Sequence, residues 1–415
     1  MKVEIMHVRH LSLSNYRNYG RLELDLTTGP TLLHGNNAQG KTNLLEALYY
    51  LATTRSPHAS QDQQLINWDA DATGEPVIVG RLVAHVVTQE GERQLEMRLI
   101  KEDKQGQTSF RREVLVNRRK VRLMDFLGNL RVVLFLPEDI QLITGAPSQR
   151  RRYLDITLCQ VDPIYCRTLS NYNKLLEQRN ALLRQLSEGM GSRDLLPIYD
   201  QKLVNLGSLI FARRSTFCQA MAREAQRIHY EELTDGLESI RLEYMPRLQG
   251  NGTPRNMQAE QLVALGDWLK AEQAEEMVIR QRFESELQAA LAQDIARGAT
   301  GIGPHRDDWR MSVNGRDIGI FGSRGQQRSA ILALKMAEIQ WMKQTTQETP
   351  VLLLDEVVAE LDEQRRALLL HTVKNAAQAL LTATDPGMFT ADFLRESAIM
   401  LVSNGRIQTT QTTQE

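Results

Sequence analysis

The octapeptide Gly35-Asn36-Asn37-Ala38-Gln39-Gly40-Lys41-Thr42 fits G-x-x-x-x-G-K-[ST], and no other stretch limits the fold of this chain as tightly. A loop of this kind needs a strand before it and a helix after it. The apolar run Thr31–His34 reads as the strand and Asn43–Leu51 as the helix. From Gly35 through Asn43, backbone N–H groups would wrap a β-phosphate, with Lys41 reaching the β- and γ-oxygens and the Thr42 hydroxyl on Mg²⁺. The glycines let backbone approach phosphate with no Cβ in the way. The bland alternative is a glycine-rich β–α turn that holds no ligand.

A second stretch answers the first. Val351-Leu352-Leu353-Leu354-Asp355-Glu356 is too apolar for a surface strand, so its end would set two carboxylates at the rim of a buried sheet. Asp355 is then placed to hold Mg²⁺ and Glu356 to orient and deprotonate an attacking water. Alone, the segment is more simply a core strand capped by solvated acids; the phosphate loop reverses that preference. A third stretch, Phe321-Gly322-Ser323-Arg324-Gly325-Gln326-Gln327-Arg328, precedes a helix with apolar residues at Ile331, Leu334, Ala337 and Trp341. Ser323 and Gly325 at that helix start make another anion site. One chain needs one phosphate loop, so a second γ-phosphate site suggests ATP held between two copies, with Ala359-Glu360-Leu361-Asp362 at the same interface.

Between these stretches the pattern changes twice. Arg9–Leu13 and Leu22–Leu26 alternate as a hairpin, and Val77–Thr88, Gln94–Lys101, Glu113–Val116 and Arg131–Phe135 follow as short strands, giving a β-rich lobe. From Tyr165, apolar residues at Leu169, Tyr172, Leu176, Leu183 and Leu186 keep helical spacing with one polar slot at Arg179. The turn Gly189–Ser192 and the renewed spacing of Tyr199, Leu203, Leu206 and Ile210 predict an antiparallel helix pair. Ile240, Leu242 and Tyr244 suggest a strand, Leu248–Asn256 a loop, and Gln261–Ile295 further helix. The expected organisation is an α/β head in two sequence parts, 1–160 and 299–407, interrupted by a mostly helical arm at 161–298 and followed by a disordered tail at 408–415.

Composition removes several classes. At 415 residues, 42% hydrophobic and 24% charged, the chain is of ordinary globular type. Met1–His10 lacks a signal-peptide pattern and no apolar run approaches membrane-spanning length, so a cytoplasmic protein with no membrane partner is expected. Cys159, Cys166 and Cys218 are odd in number and lack metal spacing, which reads as reduced thiols. Because the net charge is −1, any nucleic-acid binding must use a local basic patch. Arg111, Arg112, Arg118, Arg119, Lys120 and Arg122 cluster about a predicted hairpin, and Arg150, Arg151 and Arg152 form a second cluster. Without interleaved aromatic residues these suit duplex phosphates better than stacked single strands, and a solvated face is the alternative.

Phosphate loop, Ser-x-Gly-Gln and Leu-Leu-Leu-Asp-Glu-x₄-Leu-Asp together resemble the ABC-type ATPase heads of the SMC group of chromosome-maintenance proteins. Ile302-Gly303-Pro304-His305-Arg306-Asp307-Asp308, Gly325–Arg328 and Pro147–Asp155 narrow this to a resemblance to the RecF family of DNA replication and repair proteins, over Leu11 to about Ile407. The resemblance implies an ABC/SMC-like head with an inserted arm and an ATP- and Mg²⁺-dependent homodimer. It also implies binding to double-stranded DNA near single-strand gaps, slow DNA-stimulated hydrolysis, nucleoid association, and partners of the RecR and RecO mediator type that help load the strand-exchange recombinase. Carried over by residue, Gly35, Asn37, Gly40, Lys41 and Thr42 form the cradle, with Ser323, Gly325 and Gln326 as the signature acting in trans. Asp355 holds Mg²⁺, Glu356 and Lys41 serve catalysis, and Asp362 crosses the interface. Arg55 resembles the arginine linking nucleotide to DNA in such heads, with a surface ion pair as the alternative. Arg324 and Thr384 depart from ABC patterns, a lid glutamine near Pro137-Glu138-Asp139 is not evident, and His305 is unassigned between interface and turn bracing. The competing functional class is a structural tether in which ATP only orders the head.

Overall fold

The computed structural model describes residues 6–72, 74–104, 107–249, 259–271 and 276–410. It divides into two compact units, Met1–Asp139 with Glu338–Glu415, and Ile140–Ala337. The expected divisions at 160/161 and 298/299 both fall inside the second unit.

The first unit is built on two sheets with a helix between them. Its strands are β1 (His7–Tyr16), β2 (Tyr19–Asp25), β3 (Gly29–His34), β4 (Val77–Thr88), β5 (Gly91–Lys104), β6 (Gln107–Val116), β7 (Arg119–Val121) and β8 (Val132–Phe135). One sheet is antiparallel, in the order β2-β1-β4-β5-β6-β7. Its strands alternate, burying Leu11, Leu13, Leu82, Ala84, Met97 and Leu99 on one face and placing Arg81, Glu96 and Arg98 among valines on the other. The helix Lys41–Thr53 is apolar on nearly every side, because both sheets cover it. Its one buried acid, Glu46, is matched by Arg17 Nε and Nη2 at 2.7 and 2.8 Å and by the Ser56 hydroxyl. The helix stops at Thr53, capped by Thr54 in the left-handed region, short of Pro57.

In the second unit, helix Pro147–Val161 leads into the antiparallel pair Pro163–Ser187 and Leu196–Arg227, against which Glu276–Arg297 packs. The polar slot at Arg179 is fully buried, its charge held by Asp200 at 2.6 Å and Asp294 at 2.8 Å. A three-stranded sheet completes the unit: β9 (Ile240–Met245), β10 (Asp308–Val313) and β11 (Arg316–Asp317), in the order β11-β10-β9. The strand expected at 240–244 therefore pairs with one not foreseen, whose signal is the alternation of Trp309, Met311 and Val313. This pairing is why residues after 298 stay with the second unit.

The other sheet of the first unit adds β12 (Val351–Asp355), β13 (Gln378–Ala383), β14 (Ala398–Ser403) and β15 (Arg406–Thr410), in the order β15-β14-β3-β13-β12-β8. All neighbours are parallel except the edge strand β15. β15 runs through residues 408–410, where a disordered tail was expected, because it pairs in register with β14 from Ser403↔Arg406 to Ile399↔Thr410. Residues 411–415 of that expected tail, and 250–256 of the expected Leu248–Asn256 loop, lie outside the described residues. No described helix is long and apolar enough to cross a membrane.

Candidate nucleotide site and basic surfaces

β3 lies inside the parallel sheet, so the loop after it leaves the carboxyl edge where open α/β sheets bind ligands. Gly35 has φ 143°, and a Cβ there would sit 2.3 Å from the Val402 carbonyl oxygen; Gly40 has φ 115°, and a Cβ would meet the Asn18 amide at 2.6 Å. Both positions therefore require glycine. Two hairpin turns brace the loop from outside. Asn18 Nδ2 donates to the Gln39 carbonyl at 2.9 Å, and its Oδ1 accepts from Asn43 at 2.8 Å. On the other side, the N–H of Asn404 donates to Gln39 Oε1 at 2.7 Å and that of Gly405 to the Gln39 carbonyl at 3.1 Å. Neither Asn18 nor Asn404 stands out in the sequence except as a turn residue.

A cavity of about 230 Å³ opens over the loop, lined by Asn37, Ala38, Gly40, Lys41, Thr42, Asn43 and Glu356. Lys41 is 4% exposed and donates to the carbonyls of Gly35 at 2.8 Å and Asn36 at 3.1 Å; Glu356 Oε1 is 3.3 Å away. A buried ammonium facing a cavity edged by loop backbone suits a polyphosphate.

The carboxylates at the end of β12 converge on the same place. Thr42 Oγ1 donates to Asp355 Oδ1 at 3.0 Å, and Thr382 Oγ1 donates to the same atom at 2.7 Å. Thr382 in turn accepts from the Glu356 N–H at 2.9 Å. Thr382 is thus a further residue of the site, marked in the sequence only by one hydroxyl in the buried run Gln378–Ala383. Burial pushes the Asp355 carboxyl above its ordinary range, opposed by the Thr382 and Thr42 hydrogen bonds and reinforced by the charge of Glu356. Glu356 has φ 53°, a left-handed strain that β-carbon residues avoid and that is kept where it aims a side chain. Thr42 and Asp355 are hard oxygen donors at hydrogen-bond separation, a pair that fits Mg²⁺ with waters completing its shell.

Ser323, Gly325 and Gln326 belong to the second unit, at the N-terminus of helix Arg324–Thr346. Ser323 is exposed and forms a capping box: its N–H donates to Gln326 Oε1 at 2.9 Å, and the Gln326 N–H donates to Ser323 Oγ at 3.2 Å. Ile320 and Phe321, just before it, are 74% and 72% exposed. Back in the first unit, Asp362 is exposed and caps helix Glu363–Lys374 through the Arg365 N–H at 3.0 Å. Asp139 accepts from the Leu136 N–H at 2.8 Å, so that carboxylate braces a turn.

The basic residues separate into two kinds. Arg55, Arg118, Arg119, Lys120 and Arg152 are exposed. Arg118 sits on the turn between β6 and β7 and donates to an amide, Gln94 Oε1, at 3.3 Å, while Lys120 pairs with Glu113 at 2.8 Å. Arg112 is folded back onto Asp62 at 3.0 Å and the Thr54 carbonyl at 2.9 Å. Arg150 and Arg151, expected on a DNA surface, are turned inward. Arg150 grips Asp308 with two bonds of 2.6 and 2.8 Å, and Arg151 donates to the Asp307 carbonyl at 2.6 Å. Their charges brace the string Gly303–Asp308. The physical reason is desolvation: buried Asp307 and half-buried Asp308 need nearby cations.

That string is a structural hub. Arg214, buried, binds Asp155 at 2.7 Å, Asp307 at 3.0 Å and the Pro304 carbonyl. Burial drives the Asp307 carboxyl up to about 6 against the pull of Arg214 and the Tyr244 hydroxyl. His305 is set between the Tyr172 hydroxyl, 2.8 Å from Nδ1, and the Thr300 carbonyl, 3.1 Å from Nε2. Nε2 must carry the proton to donate to a carbonyl, so Nδ1 accepts from tyrosine. Burial lowers this imidazole to about 4, and it stays neutral at neutral pH. His305 braces a turn.

Residues 7–408 match the family model of the RecF/RecN/SMC N terminal domain. DNA replication and repair protein RecF of Roseiflexus castenholzii is 40% identical over 97% of this chain and 99% of its own length. The RecF protein of Chloroflexus aurantiacus is also 40% identical, with the same coverage. A solved structure of the recombination mediator protein RecF with ATP, described as part of the RecFOR pathway, superposes with a TM-score of 0.81 at 29% identity, covering 98% of both chains. An Smc head domain from Pyrococcus furiosus shares the fold at a TM-score of 0.51 and 15% identity.

Proposed function

The chain belongs to the RecF family of DNA replication and repair proteins, and from that premise we propose that it is an ATP-driven DNA clamp whose head hydrolyses ATP slowly as a release step. The observation that carries the proposal is the division of chemistry between the two compact units: Lys41, Thr42, Asp355 and Glu356 in one, the Ser323–Gln326 signature in the other. Each set is a partial nucleotide site, and a second copy would supply the complement.

Within this proposal Gly35 to Asn43 cradle the phosphates, Lys41 gives up its carbonyl bonds to phosphate oxygens, and Thr42 with Asp355 holds Mg²⁺. Bound Mg²⁺-ATP supplies the scissile phosphoanhydride and a counter-charge for the developing negative charge. Glu356, at the cavity wall, orients a water and accepts its proton. The Ser323 hydroxyl, at the N-terminus of its helix, would address the γ-phosphate of the partner's nucleotide, with Asp362 at the same boundary.

For DNA we propose the exposed set Arg55, Arg118, Arg119, Lys120 and Arg152, meeting duplex phosphates beside a single-strand gap, with mediators of the RecR and RecO type acting on the assembled dimer. What supports this is exposure together with the RecFOR association of the solved relative. Light scattering with ATP, ADP and gapped duplex tests it. ATP alone should double the mass and ADP should not, and Lys41→Arg or Ser323→Arg should each abolish the doubling. Unchanged dimerisation in both variants would remove the clamp.

A further inference from the structure

The long helix Leu196–Arg227 does not simply end; it continues into a π-helical turn, Ile228–Leu233. Such turns are rare and recur at functional sites. Here the distortion delivers one carboxylate. After Asp235 and Gly236, both with positive φ, the chain doubles back and brings Glu238 to the signature, where Gln326 Nε2 donates to Glu238 Oε1 at 2.8 Å.

Glu238 is held from several sides. The Thr234 hydroxyl accepts from its N–H at 3.3 Å, and its carbonyl accepts from that hydroxyl at 3.2 Å. His229 Nδ1 also lies 3.2 Å from the carbonyl, and the next residue, Ser239, is tied to Asn314 at 3.0 Å in both directions. Gln326 is therefore used at three points: Nε2 on Glu238, Oε1 on the Ser323 N–H, and its own N–H on the Ser323 hydroxyl. Its amide cannot flip, because a flipped amide would set its oxygen against the Glu238 carboxylate and its NH₂ against the Ser323 N–H.

We infer that Glu238 is a positioning residue for the signature, fixing the Gln326 amide so that Ser323 presents its hydroxyl in one orientation to the nucleotide of a second copy. The contact joins the long arm helix to the signature with a charge-assisted hydrogen bond, the stronger kind. The inference rests on the proposed dimer. Leu237, 81% exposed beside Glu238, and Phe321, two residues before Ser323, give both sides of the contact an apolar border of the sort an interface covers.

The test uses the full chain and ATP-dependent mass by light scattering, with nucleotide affinity of the isolated chain measured separately by fluorescent ATP titration. Glu238→Ala should raise the ATP concentration for half-maximal dimerisation by roughly tenfold or more, the loss expected for one hydrogen bond to a charged group. Titration of the phosphate loop should be unchanged. Glu238→Gln keeps the size and an acceptor oxygen but loses the charge, and should fall between wild type and Glu238→Ala, whereas a role of bulk alone would leave it at wild type. Gln326→Ala, which also removes the acceptor of the Ser323 N–H, should be at least as damaging as Glu238→Ala, and the double variant should be no worse than Gln326→Ala. Should Glu238→Ala not fold, Gln326→Ala and its combination with Glu238→Gln give the same comparison. A dimerising wild type with an unaffected Glu238→Ala, or additive losses in the double variant, overturns the inference alone. A wild type that stays monomeric with ATP overturns the dimer and the inference together.

Discussion

The Lys41 ammonium lies 3.3 Å from Glu356 Oε1, so the cation meant for phosphate and the carboxylate meant for water hold each other across the mouth of one cavity. Glu356 is 41% exposed, and water screens the pair, so its worth is in aim and not in stability. Glu356→Gln should keep ATP-driven dimerisation and lower the hydrolysis rate by about 10²–10⁴, the usual contribution of a general base. Phosphate release in single turnover measures it; a rate within twofold of wild type would exclude Glu356 as the base.

Asp355 takes two hydroxyl bonds on one oxygen, from Thr42 and Thr382. Thr382→Val deletes one and leaves the Glu356 N–H without its acceptor. Burial already raises the Asp355 carboxyl, and losing a bond to its charged form raises it further. The Mg²⁺ concentration needed for half-maximal ATPase should therefore rise, and more steeply at pH 6 than at pH 8. A Mg²⁺ requirement equal to wild type at both pH values would count against the shared-oxygen arrangement.

Arg214 is enclosed with Asp155 and Asp307. Arg214→Met leaves the buried Asp307 carboxylate without the cation that binds its oxygens, Arg151 reaching only the Asp307 carbonyl, and should cost about 3–5 kcal/mol, the range for breaking a buried pair from one side. Urea unfolding followed by circular dichroism reads this directly.

His305 sits neutral with a value of about 4 against 6.5 for an unconstrained imidazole. Its folded-state value is depressed, so the unfolded chain takes up a proton first as pH falls. The stability it contributes is complete above about 6.5 and is lost on the way down to about 4, on the order of 3 kcal/mol. Asp307, raised to about 6, titrates with the opposite sign over nearly the same range, which is why wild type alone is a poor reporter. His305→Asn should be less stable than wild type at pH 7.5, and the gap should narrow toward pH 4.5. Melting temperatures of the two proteins, paired at each pH, check it; a constant gap would mean that His305 does not titrate in this range.

Arg118→Glu with Arg119→Glu should weaken duplex binding and reduce the slope of log affinity against log salt by roughly 1 to 2, one phosphate contact per residue. Arg150→Gln, whose charge faces Asp308, should leave that slope alone and lower the melting temperature instead. Fluorescence anisotropy across a salt series distinguishes the two outcomes.

The elements legible in the sequence were those with a single strong period. Val77–Thr88 was bounded to the residue, and the helix pair around Gly189–Ser192 was found from its spacing. The loop, Asp355 and Glu356 were found because each motif carries its own chemistry. What escaped was non-local. Arg150 and Asp308 are 158 positions apart, and no count of basic residues tells that one neutralises the other. Thr382 reads as an ordinary strand residue because its partners, Asp355 and Glu356, meet it only through the parallel pairing of β12 with β13. Glu238 gave no signal: a distorted helix end has no period.

The brace on Gln39 reaches it from Asn404, 365 positions later, and β3 is sandwiched between β13 and β14, both from the last tenth of the chain. On a ribosome adding about 5–20 residues per second, the motif emerges on the order of 20 to 70 seconds before the residues that shape it. The Ile140–Ala337 unit, being continuous, can close during that wait. A nascent or truncated chain would thus carry the phosphate-binding motif in full and still be unable to recognise nucleotide, so that only a finished molecule enters the ATP-bound pool.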